Sequence, residues 1–116
     1  MTAHSPIDAT TYAELQEIMA DEFLEIIDFF ITDTESSLAL LQHCVDTQDS
    51  AQVGTICHKL KSSSKIIGAF ELAEITHLLE AYKDHQNQTS ASLHVKQMRE
   101  EFLRVLTWLK QQPAIA

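Results

Sequence analysis

Glycine and proline are nearly missing from this chain, with two of each in 116 residues. An all-β fold needs turn residues between many short strands, so this scarcity excludes one. It also removes the glycine-rich loops that cradle nucleotide phosphates. Neither a P-loop nor a Gly-rich kinase lid is present, so the chain is not expected to bind ATP or phosphorylate itself. Cysteine is equally sparse. Cys44 and Cys57 form no Cys-x-x-Cys pair and both fall on apolar helical stripes, which predicts two buried free thiols in a reducing compartment. Lysine and arginine are absent from residues 1–50, which carry eleven acids. At a net charge of −9 the chain is a poor nucleic-acid binder, because that affinity rests on neutralising phosphates. Long hydrophobic runs are lacking too. The most apolar segment, Phe23 to Ile31, is short and interrupted by Glu25 and Asp28, so no membrane span is expected. The N-terminal Met-Thr-Ala-His-Ser-Pro has neither the basic stretch nor the apolar run of a signal peptide. A soluble, cytoplasmic protein is the expectation.

What the chain does have is helical periodicity and, at 45% hydrophobic residues, enough apolar surface for one core. Residues 1–8 are read as a frayed N-terminus and 9–112 as a single domain. A short helix near Thr10 to Met19 would turn Tyr12, Leu15 and Ile18 inward. Asp21 is placed to cap a long helix reaching about Thr47, with Phe23, Ile27, Phe30, Thr34, Leu38, Leu41 and Val45 at helical spacing. Asp49 or Ser50 caps the next, which ends near Ile67 with Gly68 at its C-cap. Leu72, Ile75, Leu79 and Tyr82 mark a helix to about Asp84. A polar loop, His85 to Ser90, precedes a last helix from about Ala91 to Gln111, stopped by Pro113. The pattern predicts an all-α fold, an antiparallel up-down-up-down four-helix bundle with a short additional N-terminal helix. On the long helix Ile26, Phe29 and Leu40 exceed one core stripe; they either deepen the core or form an exposed patch for a partner helix.

Chemistry concentrates in residues 51–65, which hold Lys59, Lys61 and Lys65 and no acid. Positions three, four and seven apart share a helix face. His58 therefore stands with Gly54, Lys61, Ser62 and Lys65, while Val53, Ile56, Leu60, Ser63, Ser64 and Ile67 form a stripe able to face a core. Leu60 lies about 200° around the helix from His58, so the imidazole is expected in solvent. An unperturbed imidazole titrates near pH ~6.5 and is largely a neutral nucleophile at neutral pH. It can hold a phosphoryl group as a phosphoramidate, and such transfer needs positioning and charge neutralisation above all. Lys61 and Lys65, one and two turns on, could meet phosphoryl oxygens as point charges; Lys59 is offset by about 100°. Gly54 and Ser62, one turn either side, would keep the ring open to solvent.

His58, Leu60, Lys61, Ser63, Ser64, Gly68, Ala69, Leu72, Thr76, Leu79 and Glu80 resemble, in register, the signature of the histidine-containing phosphotransfer (HPt) domains. Two positions depart from it: Ser62 replaces a glycine, and Thr76 another small residue. The resemblance implies a stand-alone phosphorelay carrier. It would accept a phosphoryl group on His58 from a receiver-domain aspartate and pass it to another receiver domain. The partners so implied are receiver domains of a hybrid sensor kinase and of a response regulator. The chain itself would carry no cofactor, Mg²⁺ coming from the partner, and would be a monomer. Two other readings compete. One is a helical adaptor that binds a receiver or kinase without carrying phosphate, which Ser62 favours. The other is a metal site, suggested by Glu74-x-x-His77, but such bundles need two facing copies and His4, His43, His58, His85 and His94 lack the acid. No metal is therefore expected.

Overall fold

The computed structural model describes residues 5–113. In order along the chain are α1 (Ala9–Met19), a 3-10 turn (Ala20–Glu22), α2 (Phe23–Asp46), α3 (Ser50–Ile67), α4 (Phe70–Glu80), α5 (Tyr82–His85) and α6 (Gln88–Lys110). No strand occurs among the described residues. Helix α3 packs on α2 and α4, and α6 closes the ring against those same two helices, giving the antiparallel four-helix bundle; α1 lies on α2 and α3. No helix among the described residues is long and apolar enough to cross a membrane.

Each helix turns one stripe inward, and the stripes meet in one core. Ile27, Leu41 and Val45 of α2, Val53, Cys57 and Leu60 of α3, Leu72 and Leu79 of α4, and Val95, Met98 and Leu109 of α6 are all buried there. Cys44 and Cys57 are both buried free thiols. Each large apolar side chain so removed from water contributes about 1.5–3 kcal/mol. The joints follow from local chemistry. Asp49 caps α3, its carboxylate accepting from the Gln52 N–H at 3.2 Å. Gly68 ends α3 in the left-handed region at φ 89°, and the Ala69 N–H turns back to the Ser64 carbonyl at 2.8 Å.

The structure departs from the sequence expectation at several ends. Residues 1–4 lie outside the described residues, but the remainder of the expected frayed segment is packed: Ile7 is fully buried and the Asp8 N–H donates to the Gly68 carbonyl at 2.9 Å. Asp8 also caps α1 by accepting from the Thr11 N–H. Asp21 caps nothing; it sits within the 3-10 turn, and α2 starts without a side-chain cap. Tyr12 is buried edge-on against Phe23 and Trp108, whereas Ile18, expected inside, is 77% exposed because α1 packs through its other face. Phe29 and Leu40 do not deepen the core; they are exposed, Phe29 to 63%. Ile26 is half-buried. The fourth helix breaks at Ala81, where ψ relaxes to −11°, and resumes as α5. The last helix starts three residues early because Asn87 caps it, accepting from the Ser90 N–H at 3.1 Å.

Candidate functional site

His58 stands at the middle of α3 with its side chain 74% exposed, while Leu60 is buried on the far side. The inward stripe is as expected for Val53, Leu60, Ser64 and Ile67, with Ile56 and Ser63 half-buried. Register alone thus puts the imidazole outside, since two residues along a helix carry the chain about 200° around it.

Across from His58, the last turn of α4 delivers Glu80, whose side chain is 12% exposed. One oxygen, Oε2, lies 3.6 Å from His58 Nδ1. The other, Oε1, accepts a hydrogen bond from the Lys61 ammonium at 2.6 Å. Lys83, from α5, brings its Nζ to 3.9 Å from Oε2, and His77 places Nδ1 3.7 Å from Oε1 and 3.5 Å from Lys61 Nζ. One carboxylate therefore meets two ammonium groups and two imidazoles in an open cleft. The Lys61 hydrogen bond holds the Glu80 carboxyl below the usual glutamate range; burial pushes the other way, and the charges of Lys61, Lys83 and His58 add to the lowering. Glu80 is thus an anion at neutral pH. Facing Nδ1, it favours the tautomer with hydrogen on that nitrogen and leaves Nε2, on the opposite side of the ring, with its lone pair outward. The neighbouring Cys57 is no rival nucleophile. Burial first, and the Glu80 charge second, push its thiol up to about 12.

The other residues singled out from the sequence divide. Lys61 is at the site, yet its ammonium is bound to Glu80 and its side chain is only 18% exposed, so it is not an unengaged point charge. Lys59 points away, 3.8 Å from Asp33 of α2. Lys65 is exposed in the last turn of α3, about 10 Å along the axis from His58. Ser62 folds its hydroxyl back to the His58 carbonyl at 3.2 Å, a main-chain bond common for serine within helices. Gly54 does not open the ring to solvent: it is buried beneath the Lys83 side chain, and a Cβ there would fall 3.0 Å from Lys83 Cδ. Glu74 and His77 are both exposed, and among the described residues no group of three His, Cys, Asp or Glu side chains could hold a metal ion.

Sequence reasoning gave Glu80 a place in the motif but no task, and it passed over Lys83. The available signal was their spacing, since an acid and a lysine three apart share a helix face. The Hpt domain family model matches residues 25–108. Among solved structures, the chain is similar to histidine-containing phosphotransfer protein B from Pseudomonas aeruginosa PAO1. The identity is 29% and the TM-score 0.87, over 94% of this chain and 95% of that one. No curated protein matches the chain.

Proposed function

This chain belongs to the Hpt domain family, and from that membership we propose that its phosphorelay transfer runs through Nε2 of His58. The observation that carries the assignment is the exposed imidazole whose Nδ1 faces the buried, ionised Glu80. Loading starts from an aspartyl phosphate on a receiver domain. The Nε2 lone pair attacks phosphorus, the P–O bond to the aspartate breaks, and the carboxylate leaves with its electron pair. The ring, still holding its Nδ1 proton, becomes cationic, and the Glu80 carboxylate stabilises that charge. Unloading is the reverse: a receiver carboxylate attacks phosphorus and the P–Nε2 pair returns to the ring. The reaction asks for position and charge balance, which a rigid helix face supplies.

The receiver domains are those of a hybrid sensor kinase upstream and a response regulator downstream. Mg²⁺, when bound in the receiver, neutralises phosphoryl oxygens; this chain's part is to present the nucleophile and balance its charge. It acts as a cytoplasmic, monomeric carrier without ATP-dependent kinase activity of its own. The test is incubation with a phosphorylated receiver domain. Label should pass to the chain as an acid-labile, base-stable adduct and be absent from His58→Gln. Label retained by His58→Gln would remove that imidazole from the mechanism, while binding without any label would leave a non-phosphorylated adaptor.

A further inference from the structure

We propose that Lys83, seated across Gly54, is the cation that binds the phosphoryl group on His58, with Gly54 as the positioning residue that gives it passage. The inference rests on His58 being the carrier. Two lysines share Glu80, but unequally. Lys61 makes a 2.6 Å hydrogen bond and is largely buried, so moving it would leave a buried carboxylate without its donor. Lys83 is 3.9 Å from Oε2, beyond hydrogen-bond range, and its side chain is 48% exposed. It shares that oxygen with His58 Nδ1, and it can turn to a new anion without breaking a hydrogen bond. Lys61 then continues to neutralise Glu80, which would otherwise repel an incoming phosphoryl dianion. Lys59 is directed to Asp33 and Lys65 is two turns away.

Gly54 supplies the second, independent observation. Glycine is a poor residue for a helix interior, so a glycine five residues into α3 needs a reason. Backbone conformation is not the reason, because Gly68 is the glycine with positive φ. Space is. The Lys83 stem crosses α3 one turn before His58, with Cδ, Cβ and Cγ at 3.0, 3.7 and 3.9 Å from where a Cβ on residue 54 would sit. A Cβ there sits tight against Lys83 Cδ, so the stem must give by a few tenths of an ångström, and the proposal is that this shift moves the ammonium off its place beside the imidazole. The break at Ala81 matters as well, since α5 is the element from which Lys83 reaches back.

The experiment loads the full chain with phosphoramidate. Nε2 attacks its phosphorus, the P–N bond breaks and ammonia leaves. The phosphohistidine 31P resonance, identified by its loss in His58→Gln, is then titrated with pH. An ammonium beside the phosphoryl lowers its titration midpoint, so Lys83→Ala should raise that midpoint by about half a unit or more, and Lys83→Arg should restore it. Gly54→Ala should raise it as well and add little in the Gly54→Ala/Lys83→Ala double variant, as expected of residues acting together. Its thermal midpoint should be unchanged or higher, because alanine is the better helix former. A Lys83→Ala midpoint equal to wild type overturns the ligand role. A normal midpoint in Gly54→Ala overturns the seat. Absence of any His58-dependent resonance in wild type overturns the carrier reading, and this proposal with it.

Discussion

Glu80 shows how one side chain sets the surroundings of a surface histidine. It is buried, it is hydrogen-bonded to Lys61 and it faces His58 Nδ1. Its lowered pKa has a consequence for stability. A carboxyl bound less tightly to its proton in the folded state stabilises the fold above its unfolded value and loses that contribution as pH falls through the native value. Glu80→Gln keeps an oxygen for Lys61 but no charge. The stability gap between wild type and Glu80→Gln should be largest above about pH 5 and close towards about pH 3. Denaturant unfolding across that range checks it; a gap independent of pH would remove the charge from the account. At this scale the sequence already marked His58, because its register opposite Leu60 is a matter of helix geometry. It did not mark Lys83, 25 positions on, because nothing local says that a stem will cross α3 over Gly54.

The helices were legible where their ends are closed by short-range chemistry. Asp49 accepts from a backbone N–H three residues on, and Gly68 takes the left-handed conformation that lets α3 stop. Asp21, a good capping residue by type, does not cap because an N-cap must itself be in the extended region, and here it lies within a 3-10 turn. The two glycines differ sharply. Gly68 has positive φ, and a Cβ there would meet the Asp8 carbonyl oxygen at 3.0 Å and the Thr11 Cβ at 3.1 Å. Gly68→Ala should therefore cost about 1–2 kcal/mol from the backbone conformation, and more as α1 is displaced. Thermal or urea unfolding reads this directly. A loss under about half a kcal/mol would mean the junction yields easily.

In the whole molecule, the ring of α2, α3, α4 and α6 holds Glu80 against His58, α5 brings Lys83 to Glu80, and the segment before α1 locks one end of the ring. Ile7 is fully buried although it lies in a stretch that reads as a tail, between a proline and an aspartate. Ile7→Ala should destabilise the bundle by about 2–5 kcal/mol, as for other large core side chains cut to alanine. A loss within about 0.5 kcal/mol, the range of surface substitutions, would show that the segment is not part of the cooperative unit. Helical periodicity, scarce turn residues and the His58 motif are properties of neighbours within a few positions of one another. The sequence by itself therefore determined the all-α class, the order of the helices and the outward placement of the imidazole. Contacts between distant residues have no such local signature. Only the tertiary structure decided that Glu80 faces that imidazole, that Lys61 is bound to Glu80, that Lys83 lies across Gly54, and that Ile7 belongs to the core.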